Sequence, residues 1–190
     1  MSPFFKAALA ATLGFGGAGS AALLAPCAEL SVEVGGAPML PSRSILENIV
    51  NSKDHTTWLN AIQAADLAET LQGEGPFTLL APVNKAFDKL PKGTLESWLL
   101  PENKPALTAI LTYHVIQGRI AAADFIAAIE KGNGSAAYQT VEGEMLTVRH
   151  DGRRLEFIDA KGNRSFVTLA DVLQRNGVIH IIDSVLLPKG

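Results

Sequence analysis

Cysteine is almost absent from this 190-residue chain, which has a single one at position 27. An intramolecular disulfide is therefore impossible, and we expect no redox role. Runs of Lys and Arg with interleaved aromatic residues are also missing, and the formal net charge is only −3. We therefore expect no nucleic-acid partner. With 47% hydrophobic residues, one domain of this length can bury a core without disulfides or metal.

Motifs for catalysis and for metal binding are missing as well. The histidines at positions 55, 114, 150 and 180 are widely separated, and none lies in the H-x-x-x-H or H-E-x-x-H spacing of a zinc site. There is no Gly-x-Ser-x-Gly segment and no glycine-rich phosphate loop after a strand. We therefore predict no catalytic residue, no metal and no cofactor, and the chain is not expected to be an enzyme.

The first 26 residues differ in composition from the rest of the chain. Lys6 is followed by an Ala/Leu/Phe/Gly run with no further charge until Glu29. A short basic start, an apolar stretch and small residues near a cleavage point are typical of a secretory signal peptide. We predict a signal peptide over residues 1–26, with cleavage after Ala21 or Ala22. An N-terminal membrane anchor is the alternative, although glycines interrupt the run.

Residues 27–41 resemble a linker, because glycines and prolines interrupt any periodic pattern. Cys27 follows Leu24-Ala25-Pro26, which is similar to the cleavage box of a bacterial lipoprotein. If that resemblance is functional, Cys27 becomes a lipidated N-terminus and the protein is anchored to a membrane. The folded domain is predicted to begin at Ser42 and to include residues 42–190.

Helices are predicted mainly in the first half of the domain. Ser44 and Glu47 have the Ser-x-x-Glu spacing of a capping box, and a second helix is predicted from Thr57 to Leu71. Further helices are predicted from Asn84 to Leu90, from Pro105 to Tyr113 and from Ala122 to Lys131.

Strands are predicted mainly in the second half. Leu146–His150 and Leu155–Ile158 form a hairpin about Asp151-Gly152, and Phe166–Leu169 and 178–182 follow. Phe77–Ala81 and the segment after His114 are earlier strands. Because helices and strands are segregated in this way, the fold class is predicted to be α+β.

Several polar residues lie in apolar surroundings. His114 follows a helix at the start of a strand, and His180 lies between Ile179 and Ile181. A buried imidazole without a partner is costly, so we expect both rings to form hydrogen bonds in the core. Asn84 is expected to cap the helix that it begins, and Asp183 to bind backbone at the end of the last strand. Convergence of His114 and His180 on one ligand is the alternative.

Three segments resemble the fasciclin (FAS1) domain family, and their order indicates that the resemblance extends over about Ser42 to Pro188. The first is FTLLAPVNKAF at 77–87, which is similar to the family's FTVFAPTNxAF segment. The second is LTYHVIQG at 111–118, similar to its Tyr-His box. The third is NGVIHIID at 176–183 followed by VLLP, similar to its closing box. The resemblance implies a β-sandwich or wedge flanked by several α-helices.

The resemblance also implies a function outside the cytoplasm, without known catalysis. Such domains act mainly as adhesion or interaction modules, and in some animal members a Tyr-His box and an Asp-Ile pair are implicated in integrin binding. The matching positions here are Tyr113-His114 and Asp171-Val172, which become candidate partner-binding residues. Both sites are equally compatible with simple strand packing.

Two functional hypotheses follow. The first is a secreted, periplasmic or cell-surface module that binds a protein or glycan of the surface or matrix. The second is an exported small-ligand-binding protein or enzyme with a cleft near His114 or Asp171. A shallow surface with apolar patches would favour the first, and a deep polar pocket with converging histidines or carboxylates the second.

Overall fold

The computed structural model of the chain describes residues 31–152 and 154–189. The predicted signal peptide and Cys27 lie outside these residues. The helices are α1 Ile45–Ile49, α2 Thr56–Ala64, α3 Ala68–Gln72, α4 Asn84–Phe87, α5 Thr94–Trp98, α6 Lys104–Tyr113 and α7 Ala122–Lys131, with short 3₁₀ turns at Lys53–His55 and Pro101–Asn103. The strands are β1 Val32–Val34, β2 Ala37–Met39, β3 Phe77–Pro82, β4 Val115–Gln117, β5 Ser135–Gln139, β6 Met145–Asp151, β7 Arg154–Ile158, β8 Arg164–Gln174 and β9 Gly177–Ile182.

The prediction of a linker up to residue 41 is wrong for its second half. Strands β1 and β2 form an antiparallel hairpin there, and Val34 and Met39 are buried in the core. Gly35 and Gly36, both at positive φ, form the two-residue turn that such a hairpin requires. The glycines that resembled linker residues are therefore turn residues of the folded domain.

The helices largely match the predictions, with one division. The capping box at α1 is confirmed, because the Ser44 N–H donates to the Glu47 carboxylate at 2.7 Å and the Glu47 N–H donates to Ser44 Oγ at 3.4 Å. The helix predicted from Thr57 to Leu71 is instead two helices, α2 and α3. Asp66 separates them with a φ of 57°, a left-handed conformation that ends a helix.

The strands form a mixed sheet in the order β4-β3-β9-β8-β7-β6-β5. Strands β3 and β9 pair in parallel, and the other neighbours are antiparallel. An additional bridge between Ile116 and Thr140 brings the two ends of the sheet together, so that it forms a wedge that approaches a barrel. The predicted α+β class and wedge are thus confirmed. Strand β5 was not predicted individually.

Strands β3 and β9 separate two hydrophobic clusters because their side chains alternate between the two faces of the sheet. Leu79 of β3 and Ile179 of β9 point to the first cluster, which α1, α2 and α6 cover. Leu80 and Ile182 point to the second cluster, where α7 packs with Phe125 and Ile129. Helix α7 covers this face at β5, β6 and β7.

Candidate functional site

His114 is fully buried at the junction of α6 and β4, with both ring nitrogens in hydrogen bonds. Nδ1 lies 2.7 Å from the Ile110 carbonyl oxygen, and Nε2 accepts from the Leu186 N–H at 3.0 Å. This pairing requires a neutral ring with its proton on Nδ1. Burial lowers the pKa of His114 to about 4, so the ring stays neutral at pH 7. The ring also packs edge-on against Trp58, with centroids 4.9 Å apart.

His180 holds a different pair of backbone groups in the second cluster. Its Nε2 lies 2.9 Å from the Ile120 carbonyl oxygen, and its Nδ1 accepts from the Asp171 N–H at 3.3 Å. Burial lowers the pKa of this ring as well. His180 therefore links β9 to the bulged part of β8 and to the segment that precedes α7. His114 and His180 do not converge on one ligand.

Tyr113 is buried, and its hydroxyl joins the sheet to the β7–β8 turn. The oxygen accepts from the Ala160 N–H at 3.1 Å and donates to the Met145 carbonyl at 3.2 Å. Burial raises the pKa of Tyr113 to about 12. The hydroxyl is thus protonated at any physiological pH and serves as both donor and acceptor.

The other two polar residues singled out in the sequence also bind backbone. Asn84 does not cap its own helix, whose N-cap is Val83. Its side chain instead accepts from the Thr57 N–H at 3.0 Å and donates to the Lys53 carbonyl at 2.8 Å. It therefore satisfies the start of α2, a role that sequence could not indicate because the two positions are 27 residues apart.

Asp183 follows the last strand, and its carboxylate accepts from the Phe166 N–H at 2.9 Å. Burial opposes ionisation, but this hydrogen bond, a second one from Ser184 and the charge of Lys89 together lower the pKa of Asp183. The carboxylate therefore stays charged and ties β9 to β8.

The four candidate partner-binding residues are not equally accessible. Tyr113 and His114 are 0% exposed, and Val172 is 1% exposed. These three side chains cannot contact a partner on the surface of this structure, so the prediction of direct contact is corrected for them. Asp171 alone among the four is exposed. It lies in a bulge of β8 with a φ of 57°, and its carboxylate accepts from the Ala122 N–H at 2.8 Å.

A cleft of about 530 Å³ lies beside Asp171. One wall is the start of α7, and the other is formed by strands β6, β7 and β8. Its lining is Ala122, Ile126, His150, Arg154, Leu155, Val167, Thr168 and Ala170. His114 does not line it, so the predicted cleft lies near Asp171 but not near His114. Chemically, the cleft combines apolar side chains with one guanidinium, one imidazole and one hydroxyl group.

Sequence reasoning did not identify Ile126 as a surface residue, although a signal was present. Phe125 and Ile129, four residues apart, form the buried side of α7. Ile126 lies outside that pair and is 38% exposed. An apolar residue that lies off the buried stripe of a short amphipathic helix is expected to be exposed.

Within the described ranges, no group of three His, Cys, Asp or Glu side chains could hold a metal ion. No helix among them is long and apolar enough to cross a membrane.

A model of the fasciclin domain family matches residues 53–188. The chain belongs to the fasciclin family. It is similar to protein sll1483 of Synechocystis sp., with 44% identity over 161 residues, which covers 84% of this chain and 82% of that protein. The sequence resemblance in the three segments is thereby confirmed.

Relatives also occur in animals. Human periostin is 34% identical over 145 residues, which is 76% of this chain but 16% of periostin. The chain therefore corresponds to one part of that longer protein. Among solved structures, the FAS1 domain pair of the insect cell adhesion molecule fasciclin I matches with a TM-score of 0.69 and 19% identity, covering 78% of this chain and 52% of that one. This likeness establishes the fold.

Proposed function

We propose that this fasciclin domain is an extracytoplasmic adhesion or interaction module that binds a protein or glycan of the cell surface or matrix. The observation on which the proposal rests is the open cleft beside Asp171, whose lining combines apolar and polar side chains. The chain is similar in fold to a domain pair from a cell adhesion molecule, which supports the same class of function.

Binding is favoured over catalysis by the state of the titratable groups. His114 and His180 use both ring nitrogens for backbone hydrogen bonds, so neither is available as an acid or base. The lining of the Asp171 cleft includes no carboxylate, and its titratable members are His150 and Arg154. General acid–base chemistry needs a positioned pair of groups near the substrate, and this lining does not supply one.

The contact in the cleft is expected to be part apolar and part polar. Ile126 lines it from α7, and the Asp171 carboxylate lies next to the lining through its bond to the N–H of Ala122, a lining residue. An apolar group of the partner would fill the cleft, and polar groups around the rim would orient it.

The test is saturable binding of the labelled chain to cells and envelope material of the source organism. Ile126→Gln should weaken this binding about tenfold or more, because it places an amide in the apolar contact. Val50→Gln is the matched control, since Val50 is exposed at the C-cap of α1 and does not line the cleft. Equal binding by wild type and Ile126→Gln would contradict the proposal.

The signal peptide predicted within residues 1–26 is proposed to be cleaved on export. The mass of the mature N-terminus distinguishes the routes. Cleavage after Ala21 or Ala22 gives a secreted or periplasmic protein, and a diacylglyceryl modification at Cys27 gives a membrane-anchored one. An N-terminus at Met1 in an envelope-free cytosolic fraction would contradict export.

A further inference from the structure

Strands β5 to β8 have two different faces. Leu146, Val148, Leu155 and Phe157 point inward to the second cluster and are at most 6% exposed. The alternate residues point outward, and the helices α1, α2 and α6, which cover the same side of the sheet at β3 and β9, do not extend over them. We call the outward positions of β6, β7 and β8 the arginine face.

The register of the strands defines the arginine face. Arg149 of β6 lies opposite Glu156 of β7, and Glu156 lies opposite Phe166 of β8. Arg154 lies two residues before Glu156 on β7, opposite Asp151. Arg164 lies two residues before Phe166 on β8, opposite Ile158. All three arginines are exposed. They are fixed points on a rigid surface, because alternate residues of neighbouring strands are regularly spaced.

The acidic residues of this region do not cancel the positive surface. Glu156 and Asp159 are each 5% exposed. The Glu156 carboxylate lies 3.3 Å from the Arg164 guanidinium. The Asp159 carboxylate accepts hydrogen bonds from its own turn and from the Leu187 N–H. Asp151, opposite Arg154, is the exposed acid. A carboxylate beneath a guanidinium orients it and leaves its remaining N–H groups directed outward.

The charge of this region is opposite to that of the rest of the chain. Segment 145–164 has five basic and three acidic residues, whereas the remainder has eleven basic and sixteen acidic residues. A basic surface on an otherwise acidic protein attracts polyanions to one side only.

We propose that the arginine face binds an acidic polysaccharide through its carboxylate or sulfate groups. Guanidinium groups recognise such planar or branched anions bidentately. Single-stranded nucleic acid is disfavoured because its bases stack on exposed aromatic rings, and the Arg154 guanidinium already covers Phe166 at 4.4 Å from the ring centre. This proposal names a partner chemistry beyond the apolar contact proposed for the Asp171 cleft.

The experiment measures binding of the full chain to three probes: oligogalacturonate for carboxylates, dextran sulfate for sulfates, and neutral dextran. At least one anionic probe should bind saturably, and binding should be lost in about 1 M salt, where the Debye length is near 3 Å. Neutral dextran should not bind. The anionic probe with the higher affinity identifies the chemical group.

Variants then locate the site. Arg149→Gln/Arg154→Gln should raise the Kd about tenfold or more, since two charge-assisted contacts are lost. Arg43→Gln/Arg175→Gln makes the same change in net charge at exposed positions distant from the arginine face and should leave the Kd unchanged. Arg164 is left in place, because its removal would strand the buried Glu156 carboxylate. Arg149→Gln alone gives the same test if the double variant fails to fold.

The outcomes separate this proposal from the one for the cleft. Ile126→Gln should leave polysaccharide binding unchanged. Because Arg154 also lines the cleft, the single variant Arg149→Gln, which leaves the cleft lining intact, separates the two sites in the other direction. The proposal is overturned if neither anionic probe binds, if both double variants lose affinity equally, or if single-stranded DNA or anionic lipid vesicles bind more tightly than both polysaccharides.

Discussion

The two ends of the central sheet differ in how completely they are covered. At β3 and β9 both faces are buried. The helices of the first cluster cover one face, and the side chains of the second cluster cover the other. At β6 and β7 only the inner face is buried, and the outer face bears exposed arginines. The difference suggests that the two ends have different roles. The side chains of the covered end stabilise the fold, whereas those of the open end, next to the cleft, are accessible to a partner.

The largest expected effect is at His114 in the covered end. His114→Ala should lower the free energy of unfolding by about 4 kcal/mol, because it opens a cavity beside Trp58 and leaves the Ile110 carbonyl and the Leu186 N–H unpaired. His180→Ala should cost only about 2 kcal/mol, since its bond from the Asp171 N–H is long, at 3.3 Å. Urea unfolding followed by tryptophan fluorescence measures both. Equal losses would show that the longer hydrogen bond at His180 does not reduce its contribution to stability.

Acid should weaken the same covered end. The pKa of His114 is about 4 in the fold against 6.5 for a free ring, so the unfolded chain binds the extra proton first. Its contribution is complete above pH 6.5 and is lost as the pH falls towards 4, by about 3 kcal/mol in total. His55 and His180, whose pKa values are also lowered by burial, act in the same direction.

The measurement is the free energy of unfolding from pH 7 to pH 4 for wild type and His114→Ala. The variant should show a visibly shallower slope in this window. A slope as steep as that of wild type would mean that His114 does not control the acid sensitivity.

The β1–β2 hairpin provides a matched pair of glycines. A Cβ at Gly35 would lie 2.3 Å from Ser52 Oγ and 2.8 Å from the Asp54 backbone nitrogen, whereas one at Gly36 would meet nothing within 4 Å. Both positions have positive φ, so each alanine costs about 1 kcal/mol for its backbone. Gly35→Ala should cost a further 1–2 kcal/mol, roughly, for the displaced turn. If the two variants melt together, the hairpin does not dock as described.

The smallest effect is expected at the open end. Arg149→Gln/Arg154→Gln should change the free energy of unfolding by less than about 0.5 kcal/mol, because the side chains are exposed and surface pairs contribute little. A thermal melt of this variant beside wild type is sufficient. A large loss of stability would show that the two arginines stabilise the sheet, which would contradict a role in binding alone.

Much of the fold could be predicted because local signals agreed with it. Ser44 and Glu47 specified a helix start, and Asp151-Gly152 specified a hairpin. The division at Asp66 could not be predicted, because it depends on a non-glycine residue in a left-handed conformation, which such residues rarely adopt. Gly35-Gly36 were misinterpreted because glycine is common to linkers and tight turns.

The candidate sites depended more on tertiary structure. Sequence placed His114 and His180 in apolar strands, and hydrogen bonding was the expected solution, but the bonded groups are distant along the chain. Leu186, which donates to His114, is 72 residues away. The arginine face was also invisible in sequence. Arg149, Arg154 and Arg164 become neighbours only when three strands pair in the observed register.

The most direct test of the division between covered and open ends is amide hydrogen exchange of the full chain, alone and saturated with envelope polysaccharide from the source organism. We predict slower exchange in residues 145–166, which contain the arginine face. Slower exchange confined to the groove between α1, α2 and α3, lined by Leu46, Val50 and Leu59, would place binding at the covered end and contradict the account.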